Sequence, residues 1–359
     1  MTDTPYIIAE IGSNHNGDMD LCRQMIDAAI ESGADAVKFQ SFSDKSLISE
    51  AEYARRMDYG DSAEDKNRHF GTLKEMVNAY WMRPDQHHEI AEYARSNGIE
   101  FLSTPFSNAE VDLLEECNVP LYKVASMDVN HPTLLEYIGS KGKPVYLSTG
   151  MATLGEIDTA IQILEKAGAA SVTPLHCTSV YPPTPEIMNI NNIVGFREIF
   201  DRLVGYSDHT IGTDVPLIAL SLGACVIEKH FTIDKSLPGW DHWVSADPKE
   251  MKQIVEYSKM SIEELQDRAH KVENFDIILG TKHRILSDRE KEKIAVMRRC
   301  IVAKTDLPEG HVLKSNDVDY KRPGSGIRPD ELNYIIGREL TRDINYDHEF
   351  KWSDFGPGV

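Results

Sequence analysis

The 359-residue sequence lacks several features that mark large classes of proteins. It has no apolar run of about 18 residues, the length that indicates a membrane-spanning helix, so we expect no membrane partner. Its first residues carry neither a basic stretch nor an apolar core, so we expect no secretory signal. The five cysteines are odd in number and show no Cys-x-x-Cys spacing, which predicts reduced thiols in a cytoplasmic protein.

Basic residues are scarce. The sequence has 38 lysines and arginines against 58 aspartates and glutamates, a formal net charge of −20. A surface of this charge repels nucleic acid and anionic membranes, so we expect neither as a partner. If the substrate is itself an anion, lysines inside its pocket must reverse the local field.

Short apolar or β-branched runs alternate with helical patterns along the first three quarters of the chain. The runs are 6–12, 36–41, 100–106, 121–126, 144–150, 172–179, 203–210 and 225–231. Eight strands alternating with helices predict a (β/α)8 TIM barrel, and the chain is long enough to add a small second domain. A doubly wound open sheet gives the same alternation, but the polar residues that end each unit favour closure.

The same pattern predicts the domain boundaries. The barrel covers 1–267, a polar stretch of mixed charge at 268–293 predicts a linker, and short runs with turn signals over 294–359 predict a mostly β module. One connection within the barrel is unusually long. The 43–99 insertion is expected to hold extra helix over the barrel mouth, where it either shapes the substrate site or serves packing.

The seventh and eighth predicted strands each carry a histidine near the C-terminal end. Because side chains in a strand alternate between faces, Ser207 and His209 share one face of the first strand, and Glu228 and His230 share one face of the second. A short apolar helix between them makes the strands parallel neighbours. Two imidazoles and a carboxylate can then converge in an arrangement that suits a divalent metal. The alternative is that each histidine is only a hydrogen-bonded barrel residue.

Other strands also end in polar residues, at the face where active sites of such barrels form. Ammonium and hydroxyl groups surround phosphate and carboxylate oxygens without competing acceptors, which predicts a site for a small phosphorylated acid. For Lys38 or Lys123 taken alone, the alternative is a lysine at a strand end that is simply solvated. Asp241 and His242 follow the eighth strand and either bind sugar hydroxyls or serve a plain loop. The candidate anion-binding residues are Lys38, Lys123, Ser126 and Ser148.

Together and in order, these motifs resemble the sialic acid (nonulosonate) synthase family. The matching segments are 8–18, 38–40, 103–106, 148–151, 205–210 and 227–231. The C-terminal module, with Lys321-Arg322-Pro323-Gly324, resembles that family's antifreeze-like (SAF) domain. The resemblance covers the chain from about Tyr6 to Asp354.

The resemblance implies condensation of phosphoenolpyruvate with an N-acylated mannosamine-type sugar, giving a nine-carbon 2-keto acid and phosphate through C–O cleavage. It implies that His209 and His230 hold a divalent ion, Mn²⁺ first with Mg²⁺ or Co²⁺ as alternatives, which polarises the sugar aldehyde. Glu228 or Asp241 is the candidate carboxylate for the proton transfers. The implied phosphoenolpyruvate-binding residues are Lys38, Thr104, Lys123, Ser126, Ser148, Ser179 and Ser207.

The resemblance also implies a set of sugar contacts and an assembly. Gln40, Tyr181 and Asp241 match sugar-contacting positions. Arg322 matches an arginine that reaches the N-acyl group from the partner subunit of a domain-swapped homodimer.

Two positions depart from the family pattern. Asn16 stands where some relatives have glutamate, and an amide cannot act as a general base, so the base is left open. Trp240 stands where proline is usual, and an indole beside the sugar site is expected to affect which sugar is accepted. The sugar is left open between N-acetylmannosamine and 6-deoxy diamino sugars. Alternative functions are a related synthase that uses a phosphorylated aldose, a metal-dependent aldolase, and a non-catalytic sugar-acid binding protein.

Overall fold

A sheet of eight parallel strands forms the centre of the computed structural model, which describes residues 4–43, 45–55 and 71–356. The strands are β1 (Tyr6–Gly12), β2 (Ala36–Ser41), β3 (Glu100–Pro105), β4 (Tyr122–Val124), β5 (Pro144–Ser148), β6 (Ser171–Cys177), β7 (Gly205–Asp208) and β8 (Val226–His230). Their order is β3-β2-β1-β8-β7-β6-β5-β4, and contacts between β3 and β4 bring the two edges together. The predicted (β/α)8 barrel is confirmed.

Helices follow the strands. They are α1 (Met19–Ser32), α2 (Glu50–Arg55), α3 (Leu73–Tyr80), α4 (Pro84–Ser96), α5 (Asn108–Glu116), α6 (Pro132–Gly139), α7 (Leu154–Ala167), α8 (Pro185–Met188), α9 (Asn192–Phe200), α10 (Asp214–Ser221), α11 (Pro248–Tyr257) and α12 (Ile262–Ala269). Two 3-10 turns lie at strand ends, Ser126–Asp128 after β4 and His242–Val244 after β8.

Helix α1 shows how the sequence sets these elements. The Asp18 side chain accepts hydrogen bonds from the backbone N–H groups of Asp20 and Leu21, which caps the first turn. The next residues bury one stripe at helical spacing and leave the opposite face to solvent. Gly33 ends the helix with φ 83°, a left-handed conformation that glycine adopts without steric cost.

The insertion between β2 and β3 contains the helices α2 and α3, so the expected extra helix is present. Residues 56–70 of the insertion lie outside the described residues, so the expectation is not tested there. The insertion packs with loops of the barrel mouth in a hydrophobic cluster, called here the mouth cluster. It consists of Phe42, Leu47, Ile48, Tyr53, Leu73, Met76, Val77, Tyr80, Phe106, Met127 and Met151. Trp240 and Met297 pack against it from other parts of the chain.

The segment predicted as a polar linker contains helix. Helix α13 (Phe275–Leu279) lies inside it, and α14 (Asp288–Met297) begins inside it and continues into the predicted SAF module. Helix α14 has a capping box, because Ser287 Oγ accepts from the Glu290 N–H and Glu290 accepts from the Ser287 N–H. The domain boundaries stay a prediction, but the connection is an ordered part of the fold.

Residues after α14 form a small module with its own hydrophobic core. Strands β9 (Cys300–Ala303) and β10 (Val318–Lys321) pair antiparallel, and isolated bridges join later segments to one another and to β9. Short 3-10 helices lie at Ser315–Asp317, Pro329–Tyr334 and Trp352–Asp354. The buried core includes Ile301, Leu313, Ile335, Leu340 and Phe350.

This module docks on the barrel of its own chain. The Arg299 guanidinium donates to Asp128 at 2.6 Å, and both side chains are almost fully buried. Arg322 N–H donates to the Leu47 carbonyl at 3.0 Å, and Ser49 N–H donates to the Arg322 carbonyl at 2.9 Å. The backbone pairing holds Arg322 at the barrel mouth of the same chain.

Two further observations concern the cysteines and the length of the helices. All five cysteines are free thiols. No helix within the described ranges is long and apolar enough to cross a bilayer.

Candidate active site

A cavity of about 310 Å³ opens at the C-terminal ends of the barrel strands. The cavity is lined by Lys38, Gln40, Thr104, Lys123, Ser126, Ser148, Ser179, Tyr181, Ser207, His209, Glu228, His230, Asp241 and Arg322, which are the site residues that the resemblance implied. His242, the other candidate for sugar hydroxyls, does not line it and lies buried with Nδ1 2.7 Å from Thr232 Oγ1. The β-strand periodicity explains the members that lie on strands, because residues two apart on a strand share the inner face. Ser126, Ser179, Tyr181, His209, Asp241 and Arg322 lie outside the strands. Eight strands and the second module together supply the walls.

Four charged side chains form the floor of one half of the cavity and are called here the charge quartet: Glu10, Lys38, Lys123 and Glu228. Lys38 Nζ lies 2.6 Å from Glu10 Oε2 and 3.8 Å from Glu228 Oε2. Lys123 Nζ lies 3.2 Å from Glu228 Oε1. All four side chains are at most 7% exposed, so the pairs are shielded from water. The quartet is neutral overall when all four groups are ionised.

Burial and mutual charge set the protonation of the quartet. Burial raises the pKa of Glu10 to about 7, although Lys38 pulls it down. Burial alone would also raise the pKa of Glu228, but the charges of Lys123 and Lys38 outweigh it and lower the pKa below its ordinary value. Burial lowers the pKa of Lys123, whereas the two carboxylates overcome burial and raise the pKa of Lys38. Glu10 is thus the carboxylate of the quartet that takes up a proton most readily.

Hydroxyl groups surround the two lysines. Lys38 Nζ donates to Thr104 Oγ1 at 3.1 Å, and Ser207 Oγ donates to Glu228 at 3.0 Å. Ser148 Oγ is buried and makes no hydrogen bond to the described part of the chain. A buried hydroxyl without a partner is costly, and a bound oxyanion would satisfy it. This half of the cavity has the composition of an anion site.

Gly150 keeps this half open. Its N–H donates to Ser126 Oγ at 2.9 Å. A Cβ at position 150 would lie 2.1 Å from Ser179 Oγ and 2.9 Å from Ser126 Oγ. No side chain fits there without displacing the two serines.

The two histidines follow Ser207 and Glu228 by two residues each and line the cavity beside the anion half, in a part called here the imidazole half. Their ring centroids are 5.5 Å apart, and Tyr181 stacks on His209 at 4.0 Å. His209 Nδ1 lies 2.9 Å from the Thr178 carbonyl, so Nδ1–H donates there, and Nε2 carries a lone pair when the ring is neutral. Burial alone would lower the pKa of His209, but Cys177 and the Thr178 carbonyl outweigh it and raise the pKa above its ordinary value. His230 Nδ1 is buried without a hydrogen bond, 4.0 Å from Asp241 Oδ2. The two imidazoles therefore lie close together, as the strand alternation predicted.

The histidine pair fits a divalent ion in part. Burial lowers the pKa of His230 well below its ordinary value, so its ring is neutral and retains a lone pair. Burial also raises the pKa of the neighbouring Asp241 to about 6. In the stretches of chain that the structure covers, no three His, Cys, Asp or Glu side chains are grouped as metal ligands. Two nitrogens from the protein would leave the remaining positions to water and substrate oxygens.

The outer wall of the cavity is mainly apolar. Ile48, Leu73 and Met297 line it, and Trp240 packs edge-on against Tyr80 at 4.8 Å. Asn16 lies beside this wall and donates from Nδ2 to the Pro238 carbonyl at 2.9 Å. Asn16 therefore supports the loop that carries Trp240.

Arg322 reaches this wall from the second module of the same chain, where its guanidinium contacts Met127 Sδ at 2.6 Å. The resemblance implied an arginine from a partner subunit. In this chain the arginine and the cavity belong to one polypeptide. The domain-swapped homodimer stays a prediction.

Comparison with known proteins places the chain in a family. A model described as "NeuB family" matches residues 25–270, and a SAF domain model matches residues 298–355. The chain belongs to the NeuB family. The N,N'-diacetyllegionaminic acid synthase of Legionella pneumophila is 36% identical, over 97% of this chain and 94% of that protein. The pseudaminic acid synthase of Helicobacter pylori is 32% identical, over 95% of each chain.

A solved NeuB-like structure agrees over the whole fold. The spore coat polysaccharide biosynthesis protein SpsE of Bacillus subtilis superposes with a TM-score of 0.79 at 30% identity, covering 99% of this chain and 96% of that one. The family resemblance and the SAF module predicted from the sequence are therefore confirmed.

Several residues of this NeuB-family cavity escaped the sequence analysis. Glu10 lines the cavity, and α14 adds Lys293, Val296 and Met297. For Glu10 the available signal was a lone carboxylate inside an apolar strand, because such a group is seldom buried without a task. For α14 the signal was the spacing Ser287-x-x-Glu290, a capping box that starts a helix.

Proposed function

We propose that this NeuB-family protein is a phosphoenolpyruvate-dependent nonulosonate synthase. It condenses phosphoenolpyruvate with an N-acylated mannosamine-type sugar and water to give a nine-carbon 2-keto sugar acid and phosphate. One observation carries the proposal: a buried site of lysines and hydroxyl groups shares one cavity of small-molecule size with a pair of imidazoles. The named synthases among its relatives support the same reaction.

Phosphoenolpyruvate is expected in the anion half. Lys38 and Lys123 neutralise its phosphate and carboxylate, and Ser126, Ser148 and Thr104 supply hydroxyl donors. The lysines already pair with carboxylates, so the substrate must share or replace those partners.

The reaction forms one carbon–carbon bond and breaks one carbon–oxygen bond. C3 of phosphoenolpyruvate attacks C1 of the open-chain sugar, and the aldehyde oxygen takes up a proton. Water adds to C2 of the former phosphoenolpyruvate and loses a proton. The bond from C2 to the phosphate oxygen then breaks, and the new C2 hydroxyl loses its proton to form the 2-keto group as phosphate leaves. We expect Asp241 to exchange a proton near the sugar, since burial raises its pKa to about 6, close to the working range of a general acid or base.

A divalent ion, with Mn²⁺ first and Mg²⁺ or Co²⁺ as alternatives, is part of this proposal. His209 Nε2 and His230 would hold it, because both rings are buried and His230 Nδ1 lacks a hydrogen-bond partner. When bound, it would supply Lewis-acid polarisation of the aldehyde oxygen. Gln40, Tyr181 and Arg322 line the same cavity and are expected to hold the sugar.

Among N-acylated sugars we favour a diacetamido sugar that lacks the 6-hydroxyl. The outer wall is apolar around Ile48, Leu73 and Trp240, and burying methyl groups there is favourable by roughly 25 cal/mol per Å². A hydroxyl buried on the same wall would need a hydrogen-bond partner. The relative from Legionella pneumophila bears the name of a diacetamido sugar-acid synthase. A cytoplasmic location and a homodimer are further parts of the proposal.

The deciding experiment measures phosphate release from phosphoenolpyruvate with three sugars side by side. These are N-acetylmannosamine, a 2,4-diacetamido-2,4,6-trideoxy hexose, and a phosphorylated aldose such as arabinose 5-phosphate or erythrose 4-phosphate, each with Mn²⁺ and with chelator. We expect release with N-acylated sugars only, fastest with the diacetamido sugar, and its loss with chelator.

Other outcomes overturn defined parts of the proposal. Release with the phosphorylated aldose alone would favour the related synthase class. Tight phosphoenolpyruvate binding without turnover of any sugar would favour a binding protein. Release that persists in chelator would remove the metal from the mechanism.

A further inference from the structure

Glu10 has no role in the proposed reaction, although its carboxylate contacts both an implied phosphoenolpyruvate-binding residue and an implied sugar-binding residue. Its carboxylate oxygens have different partners. Oε2 lies 2.6 Å from Lys38 Nζ in the anion half, and Oε1 accepts a hydrogen bond from Gln40 Nε2 at 3.1 Å on the sugar side. Lys38 and Gln40 stand two apart on β2, so both face inward toward Glu10 on the neighbouring strand β1.

The backbone around Glu10 is built to admit this bridge. Glu10 pairs in register with Lys38, and the ladder then shifts so that Gly12 stands opposite Phe39. Gly12 has φ 55°, and a Cβ there would lie 3.1 Å from both Glu10 Oε1 and Gln40 Nε2. A side chain at position 12 would press on the two atoms that form the hydrogen bond. The irregular end of β1 therefore keeps room for the Glu10–Gln40 contact.

The bridge also fixes the orientation of the Gln40 amide. When Glu10 is ionised its carboxylate only accepts, so the NH₂ group of Gln40 faces Glu10, as the contact at 3.1 Å has it. The Gln40 carbonyl oxygen is then turned away from Glu10, and Gln40 itself lines the cavity. The sugar is consequently offered an acceptor at this point, which suits a hydroxyl or amide N–H.

We propose that Glu10 is a positioning residue that holds Lys38 and Gln40 at a fixed separation, so that phosphoenolpyruvate and the sugar meet in reacting geometry. This inference rests on the proposed function. Glu10 acts through Lys38 and Gln40 and need not touch the reacting atoms. Misplacement of reactants by about 1 Å can reduce the rate about 100-fold, which sets the size of the expected effect.

The test compares Glu10→Gln with the wild type by titration calorimetry of phosphoenolpyruvate and by steady-state phosphate release. Removing the Glu10 charge leaves the quartet with one positive charge in excess. We expect phosphoenolpyruvate to bind as tightly as in the wild type or up to about 10-fold more tightly, whereas kcat falls about 100-fold and KM for the sugar rises. Tighter binding together with slower turnover is a signature that partial unfolding does not produce.

Two further variants separate positioning from charge and from stability. Glu10→Asp keeps the charge but is one methylene too short to reach both partners, so we expect kcat to fall with phosphoenolpyruvate affinity near the wild-type value. Asp354→Asn is the matched control, because Asp354 is a fully buried, paired carboxylate in the second module, outside the cavity. We expect it to lower the melting temperature and to leave kcat and both KM values unchanged.

A double-mutant cycle tests the contact itself. If Glu10 orients Gln40, adding Glu10→Gln to Gln40→Ala should raise KM for the sugar no further than Gln40→Ala alone. Wild-type kcat in either Glu10 variant, or phosphoenolpyruvate affinity that falls in parallel with the melting temperature, would overturn the inference. A wild-type protein that turns over no sugar would instead overturn the proposed function, because the failure would precede any substitution.

Discussion

Four buried charges at the floor of the cavity balance one another before any substrate arrives. Glu10 and Glu228 neutralise Lys38 and Lys123 at distances of 2.6 to 3.8 Å. Removing one partner of such a buried pair costs about 3–5 kcal/mol of folding free energy, because the other charge is left uncompensated. A substrate with several negative charges must compete with Glu10 and Glu228 for the two lysines.

His209 should be needed for turnover and dispensable for phosphoenolpyruvate binding. It lies in the imidazole half, and its ring contacts Tyr181 and the Thr178 carbonyl rather than the quartet. We expect His209→Gln to bind phosphoenolpyruvate within a factor of about 3 of the wild type by calorimetry while phosphate release falls by at least about 1000-fold.

The half-exposed His88 provides the control, since His88→Gln removes an imidazole outside the cavity. His88→Gln should match the wild type in both measurements. Normal phosphate release by His209→Gln would remove the imidazole pair from the mechanism.

The loop between β5 and α7 depends on one glycine. A Cβ at Gly150 would collide with Ser179 and Ser126, two of the hydroxyls that line the anion half. We expect Gly150→Ala to weaken phosphoenolpyruvate binding at least about 10-fold in calorimetry, because a displaced hydrogen bond to a charged group is worth about 1.5–3 kcal/mol.

Gly155→Ala is the matched substitution in the next helix, where a Cβ meets no atom within 4 Å. It should preserve binding and leave the melting temperature equal or slightly higher, since alanine favours helix. Equal effects of the two substitutions would show that Gly150 does not shape the anion half.

How far each element could be predicted depended on whether its residues interact locally. The ends of β7 and β8 were predictable, because strand alternation places Glu228 with His230 on β8 and, continued one residue past the end of β7 at Asp208, Ser207 with His209. Helix α14 was missed because most of its surface is charged, and its burial against the mouth cluster is decided by contacts distant in sequence. The direction from which Arg322 reaches the cavity depends on how α14 packs on the barrel, and no local sequence pattern encodes that packing.

The contact between barrel and second module contains a buried histidine. His131 caps α6 by accepting from the Leu134 N–H, and its ring lies 4.2 Å from that of Tyr320 in the second module. Burial, followed by the nearby Arg299 charge, lowers the pKa of His131 well below its ordinary value. The folded protein therefore keeps His131 neutral at a pH where the unfolded chain protonates it.

The free energy of unfolding should consequently decrease as the pH is lowered through the unfolded histidine pKa of about 6.5 and below it. Each histidine kept neutral in this way contributes a slope of at most about 1.4 kcal/mol per pH unit. We expect His131→Asn, which retains a capping side chain, to be less stable at pH 7.5 but to lose less stability between pH 7 and 5.

Urea unfolding of both proteins at several pH values measures the difference between the two slopes. The other buried histidines, such as His15 and His176, remain in both proteins and cancel in this comparison. Parallel pH profiles would show that His131 titrates equally in the folded and unfolded states.

Helix α14 and Arg322 contribute to the cavity wall although they lie beyond the segment that the barrel family model matches. This has a consequence for recombination between relatives. A chimera that joins the barrel of one family member to the C-terminal quarter of another would exchange part of the substrate wall as well as an accessory domain. Substrate preference in such hybrids should therefore be inherited from both parents, and crossovers placed before Ser287 should transfer more of it than crossovers placed after Arg299.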